Sequence, residues 1–295
     1  MKNIIKKILH STIAKIIIGI VVIIVANYVP LLLLNHFLKA HEVIQIVRLI
    51  VIPIIAIIFV LAAYIALNRY YEKRKITELS TRNIGKYVLI GLLLGLLIPS
   101  LSVLVSYLRG EYVILSISNL TSVFLRDLMI SIVFLIAVAV FEEVLFRGVL
   151  FRLIEEKLGS YIAIIISGLL FGFAHLVNSN GSFSASLAIS IISIFLIAAY
   201  MYTRNLWFPI SIHFAWNFAT ENIFGTDVDV SGDWTSTSII VSKIEGSKWF
   251  TGGDWGIEAT VQAMVLCLIA GIILLVMCRK KGNILKPQIF KVKTD

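Results

Sequence analysis

With 295 residues, 59% hydrophobic, 15% charged and a mean hydropathy of +0.97, the chain lies outside the range of soluble domains, which are about one-quarter charged. Its net charge of +9 does not indicate nucleic acid, because Lys and Arg gather in the ends and loops of an apolar chain and act there as topology signals. The two cysteines, Cys267 and Cys278, both in or beside the last apolar run, exclude a disulfide framework or a cysteine-based zinc cluster.

Lys2, Lys6, Lys7 and Lys15 precede an apolar run over 16–34, in the manner of a signal peptide. The run is too long for one and more follow, so an uncleaved first helix is expected. The pattern predicts further spans at 47–67, 87–107, 128–147, 161–177, 185–203, 206–224 and 260–278. About 20 apolar residues cross the hydrocarbon core, and a backbone in lipid must satisfy its own hydrogen bonds, so each run is read as a helix. The expected fold is all-α, a polytopic membrane bundle of about eight transmembrane helices. Pro30, Pro53, Pro99 and Pro209 are read as kinks or helix-start prolines. Three units are expected: three N-terminal spans in 1–127, a four-span core in 128–224, and an outer loop, last span and basic tail in 225–295.

Basic residues cluster before Glu42, in 68–86 and in 279–295, and eight crossings put all three clusters on one side. The expectation is a multi-pass cell-membrane protein with both termini cytoplasmic. The stretch 225–258 then falls outside, carrying Asp227, Asp229, Asp233, Glu245, Asp254 and Glu258 against Lys243 and Lys248. Its Trp234, Trp249 and Trp255 favour a belt-anchored loop over a cap across the outer face.

Ionisable side chains interrupt the apolar runs at three places, at a cost of about 2.5–3.5 kcal/mol per charge on insertion scales, which marks them as functional candidates. Glu142 and Glu143 are successive helix positions about 100° apart, so they cannot face one partner. Glu143 and Arg147 have the spacing and order of a same-face ion pair, a structural brace. Glu142 has no local partner, and a carboxylate in an apolar surround is a better general base than a solvated one. The segment Glu155-Glu156-Lys157-Leu158-Gly159-Ser160 reads as a helix end and turn with Gly159 as cap, and Arg152, Glu155, Glu156 and Lys157 as the hydrated end of that helix. Glu142 and His175 flank this turn about equally, so an antiparallel hairpin sets both at one depth, roughly 25 Å from it. Phe171 shares a face with His175, and His213 with Asn217.

Glu142, His175, His213 and Asn217 thus supply a base, two imidazoles and an amide donor, the parts that activate water and stabilise an oxyanion in peptide hydrolysis. Glu142, His175 and His213 are also a candidate metal set, with Zn2+ the candidate cofactor, although the His-Glu-x-x-His spacing is absent. Straight helices create a conflict, since they put His175 and His213 near opposite membrane faces. Either something in 178–212 is tilted, short or re-entrant, or the two rings do not share a site.

The ordered set Glu142-Glu143-x-x-x-Arg147, Phe171-x-x-x-His175 and His213-x-x-x-Asn217 resembles the three motifs of the CPBP family of intramembrane proteases, which includes type II CAAX prenyl endopeptidases and bacterial proteins of bacteriocin processing or self-immunity. The resemblance covers about 128–224. It implies that Glu142 activates water, that His175 and His213 complete the site, and that Asn217 helps form the oxyanion pocket. Its members are described both as metalloproteases and as metal-free glutamate enzymes. The partners so implied are the bilayer and a membrane-delivered peptide or lipidated protein. Two other functions use the same residues: a proton-coupled transporter and a non-catalytic peptide-binding or immunity protein. Transporters tend to carry internal repeats; here the polar motifs cluster in one half.

Overall fold

A computed structural model describes residues 11–37, 42–177, 181–226 and 237–287. The expectations that rest on Lys2, Lys6, Lys7, Asp227, Asp229, Asp233, Trp234 and the tail past 287 lie outside those residues. Among the described residues seven helices are long and apolar enough to cross a membrane, and their outward faces expose large apolar side chains such as Ile13, Ile58, Leu93, Ile165 and Ile272. This is a multi-pass, helical membrane protein.

Helices α1 (Thr12–Phe37) and α2 (Glu42–Ala66, continued by a π-helical turn over Leu67–Tyr71) form the first hairpin. Helix α3 (Ile84–Leu108) leads to strand β1 (Tyr112–Ile117), and α4 runs unbroken from Ser122 to Leu158. The expected span at 128–147 is therefore the middle of a longer helix. Its residues Val144–Phe151 are π-helical. Gly159, at φ 81°, turns the chain into α5 (Ser160–Ala174), as the capping pattern predicts. Then follow α6 (Phe183–Thr203), α7 (Trp207–Asn217, continued by a π-helical turn over Phe218–Ile223), strand β2 (Ile240–Ile244), the one-turn α8 (Lys248–Thr251) and α9 (Val261–Lys280).

Helix α6 is the centre of the bundle, with most of its residues buried. Close approach to it is bought with small residues. A Cβ on Gly172 of α5 would lie 2.1 Å from both the Ser186 carbonyl and the Ser190 hydroxyl. Likewise α3 meets α7 at Gly95, where a Cβ would be 2.3 Å from the Ile212 carbonyl. The eighth expected span, 206–224, is this α7, which has only 11 α-helical residues before its π turn and is not among the seven apolar spans. It is short because it is packed inside the protein rather than against lipid; Phe208, Ile212, Ala215 and Trp216 are all buried.

At one end of the bundle an ionic clasp joins the segment after α2 to the ends of α4 and α6. Tyr64 and Arg74 both hydrogen-bond Glu78, Arg152 bonds Glu72 at 2.5 Å, and Arg204 bonds Glu155. The Leu206 amide donates to the Glu78 carbonyl at 2.8 Å, and Ser160 and Leu285 exchange bonds of 3.0 and 2.8 Å that tie the C-terminal segment to the same turn. Burial alone would raise the Glu78 carboxyl, but the hydrogen bonds from Arg74 and Tyr64 outweigh it and hold it at about 2. This corrects the expectation for the end of α4. Arg152 and Glu155 are 5% and 1% exposed; only Glu156 and Lys157 are hydrated. Their partners come from distant sequence, which local charge pattern cannot reveal.

At the other end β1 and β2 pair antiparallel from Tyr112↔Ile244 to Ile117↔Ile240, with a bulge between Ile114 and Ser116. An all-helix expectation omitted this ribbon. The Tyr112 hydroxyl donates 2.7 Å to the Phe224 carbonyl, fixing the ribbon over the end of α7.

Candidate active site

The three polar motifs converge in the middle of the bundle. Glu143 of α4 is fully buried, and its Oε1 accepts from Arg147 Nη1 at 2.8 Å, the brace that the spacing predicts. The same Oε1 also accepts from His213 Nδ1 at 2.9 Å. Glu143 is thus more than a brace, since it orients a ring from α7 whose other nitrogen faces Glu142; the two glutamates meet opposite edges of one imidazole, contrary to the expectation that they cannot face one partner. Arg147 donates its Nη2 to Ser193 Oγ of α6 at 2.9 Å, and its guanidinium lies 4.4 Å from the centre of the Phe171 ring.

Phe171 organises the rest. Its ring packs edge-on to Phe146 at 4.9 Å and sits 4.8 and 6.2 Å from the rings of His175 and His213. Its carbonyl accepts from His175 Nδ1 at 2.8 Å, folding that ring back along α5. Spacing on one helix shows the shared face with His175 but not the contacts to α4 and α7.

Both imidazoles now present Nε2 to one atom. Glu142 Oε2 lies 3.9 Å from His175 Nε2 and 3.8 Å from His213 Nε2, and among the described residues it has no hydrogen-bond partner. These separations exceed a direct hydrogen bond. In each neutral ring Nδ1 donates, so Nε2 is left with a lone pair. Three acceptors therefore face one gap, and a molecule with hydrogens to give, such as water, can donate to two of them at once. The donor set is chemically suited to zinc, but among the described residues no group of three His, Cys, Asp or Glu is close enough together to hold a metal ion.

The straight-helix conflict is resolved by three local features. The π-helical stretch Val144–Phe151 makes wider turns that rise less per residue, shortening the leg from the Gly159 turn to Glu142. His175 folds back by one turn. Finally α7 starts within the clasp rather than at a lipid surface, so His213, its seventh residue, is about 9 Å along a short crossing.

Asn217 ends the α-helical part of α7, one turn beyond His213 and partly exposed; its carboxamide makes no hydrogen bond among the described residues. Its neighbour Trp216 donates to Glu258 at 2.5 Å, and Glu258 also accepts from Trp255 Nε1 at 3.4 Å. Trp255 is 6% exposed and stands edge-on to His175 at 6.1 Å. So the loop before α9 does cap the site, contrary to the belt expectation, while Trp249, at 70% exposure, fits it. The capping contacts need a third dimension that tryptophan content alone does not supply.

Residues 124–219, which contain all three motifs, match the family model for type II CAAX prenyl endopeptidases, Rce1-like. Over this third of its length the chain is similar to that family. The match agrees with the resemblance to CPBP intramembrane proteases carried by Glu142-Glu143-x-x-x-Arg147 and its two companions. No curated protein and no solved structure matches.

Proposed function

We propose that this Rce1-like membrane protein is an intramembrane endopeptidase that hydrolyses a peptide bond of a membrane-delivered peptide or lipidated protein with water activated at Glu142. The reading rests on one observation: Glu142 Oε2, without a hydrogen bond, faces the Nε2 atoms of His175 and His213 across gaps of 3.9 and 3.8 Å. A water there donates one hydrogen to the carboxylate and the other to an imidazole. Glu142 takes the first proton as the water oxygen attacks the scissile carbonyl, and returns it to the departing amine. Asn217, with a free carboxamide on the same helix face as His213, is the donor assigned to the developing oxyanion. Glu143 holds His213 through Nδ1, and the Phe171 carbonyl holds His175 in the same way; each fixes which nitrogen faces the water.

We further propose that both termini lie on the cytoplasmic side of the cell membrane. The gathering of the basic segment after α2 and the start of the C-terminal tail at one end of the bundle supports this.

The test is peptide cleavage by purified protein and its Glu142→Gln variant in detergent, with metal content and chelator response measured on both. Loss of cleavage by about 10²–10⁴-fold in the variant, with unchanged unfolding temperature, is expected. Equal cleavage by both would overturn the role of Glu142.

A further inference from the structure

The cap over His175 is joined to α7 through one carboxylate. Glu258 sits in the short helical turn Ile257–Ala259 just ahead of α9, and its two oxygens are used separately. Oε1 accepts from Trp216 Nε1 of α7 at 2.5 Å, and Oε2 accepts from Trp255 Nε1 at 3.4 Å. A carboxylate can serve two indoles in this way because both its oxygens accept, whereas a carboxamide has one oxygen. The turn that carries it is itself held. Ile257 is 1% exposed and packs with Val103 and Tyr112, and the hydroxyl of Thr260, the N-cap of α9, donates to the Ile257 carbonyl at 2.7 Å.

The two indoles belong to different walls of the site. Trp255 lies edge-on to His175 and packs with Phe171. Trp216 immediately precedes Asn217, at the point where α7 changes from α-helical to π-helical winding. There the Phe218 amide is shared between the Phe214 and Ala215 carbonyls, and the Thr220 hydroxyl between the carbonyls of Trp216 at 3.2 Å and Asn217 at 3.1 Å. Divided bonds of this kind set the direction of the side chains in the turn only weakly. A side-chain bond one residue from Asn217 fixes what the backbone ladder leaves loose.

Building on the endopeptidase reading, we infer that Glu258 is a positioning residue: its bond to Trp216 aims the Asn217 carboxamide at the developing oxyanion, and its bond to Trp255 holds the cap against His175. It acts through these two rings and takes no part in bond cleavage. An oxyanion donor contributes only when it already points to the place where charge develops. A small rotation of Asn217 therefore slows the chemical step without weakening the binding of substrate. Through Glu258 the loop before α9 belongs to the frame of the site as well as to its cover.

The experiment measures cleavage of a quenched fluorescent prenyl-Cys-aliphatic-aliphatic-X peptide in detergent by wild type, Trp216→Phe, Glu258→Leu and Asn217→Ala, singly and combined. Trp216→Phe keeps a ring but loses the donor, and Glu258→Leu loses both acceptors. Each is expected to lower kcat about tenfold with KM within about twofold, a part of the roughly 10²–10³-fold loss expected for Asn217→Ala. The deciding comparison is made in the Asn217→Ala background, where adding Trp216→Phe or Glu258→Leu costs nothing more, because the group they aim is gone. A full further loss in that background, wild-type kcat in either single variant, or a loss residing in KM overturns the inference. Should Glu258→Leu fail to fold, Trp216→Phe carries the same comparison. If wild type cleaves nothing, the endopeptidase reading fails for this substrate class, and the placement of Asn217 is decided by NMR on protein isotope-labelled at Trp and Asn nitrogens. Resonances are assigned by their loss in Trp216→Phe, Trp255→Phe and Asn217→Ala. Glu258→Leu, or Trp216→Phe in its place, is expected to shift the Asn217 carboxamide resonance; a resonance that stays where it is in wild type overturns the inference.

Discussion

The clasp around Glu72, Glu78, Arg152 and Arg204 and the cluster around Glu142, His175 and His213 are built from the same kinds of side chain at two levels of one bundle. In the clasp, contacts are short and saturated: Glu78 alone is held by Arg74 and Tyr64, and Arg152 reaches Glu72 at 2.5 Å, Glu156 at 2.8 Å and Asn68 at 3.3 Å. Around Glu142 the two imidazole nitrogens stay 3.8 and 3.9 Å away, and Oε2 has no hydrogen bond among the described residues. Buried polar groups are normally satisfied, so a saturated network reads as stability and an incomplete one as a place kept for a reactant. Glu143 lies between the two kinds. It is saturated by Arg147 and His213 at Oε1 but has an unpaired Oε2, and it shares a helix turn with Glu142.

Four substitutions or titrations can break this contrast. The largest effect is expected for Glu142→Gln, which removes a base but no bond. Cleavage falls about 10²–10⁴-fold while thermal stability in detergent holds; a large stability loss would place Glu142 with the clasp. Next, Arg147→Met leaves the buried Glu143 carboxylate short of its cation, and about 3–5 kcal/mol of stability is lost in denaturant titration. If activity falls without that loss, the brace is functional rather than structural.

A third expectation concerns acid. The Glu78 carboxyl, held at about 2 against an ordinary 4.5, has its folded value depressed, so its contribution is present above pH 4.5 and is lost as pH falls toward 2. The loss is on the order of 3 kcal/mol, and Glu78→Gln should flatten this limb of the stability profile. The smallest effect is that of Ser193→Ala, which deletes one hydrogen bond to Arg147 and should cost about 1 kcal/mol with activity nearly intact.

Features carried by one helix or one hairpin were legible in the sequence. The Glu143–Arg147 pair follows from spacing, the Gly159 turn from composition, and the meeting of Glu142 with His175 from counting on either side of that turn. Features that depend on how helices deviate from straight lines were not. His213 reaches Glu142 because α7 is short and begins inside the clasp, and a hydropathy run shows neither. The link from Glu143 to His213 spans 70 residues, and that from Arg152 to Glu72 spans 80. Ribbon β1–β2 was hidden in another way: Tyr112–Ile117 is apolar enough to pass as a frayed end of the preceding span. The Trp255 cap was missed because tryptophans near a membrane surface have a commoner explanation, one that Trp249 illustrates.

The π-helical stretch Val144–Phe151 also sets how the gene can change. Glu142 and Glu143 precede it and look toward the two imidazoles, whereas Arg152 follows it and looks toward Glu72. Loss of one codon within the stretch would let it rewind as ordinary α-helix and turn one group against the other by about 100°, the angle of a single helical residue. Point substitutions at its apolar positions leave that phase alone. For this helix, the number of residues between motif and turn therefore matters more to the alignment of the two groups than the identity of those residues.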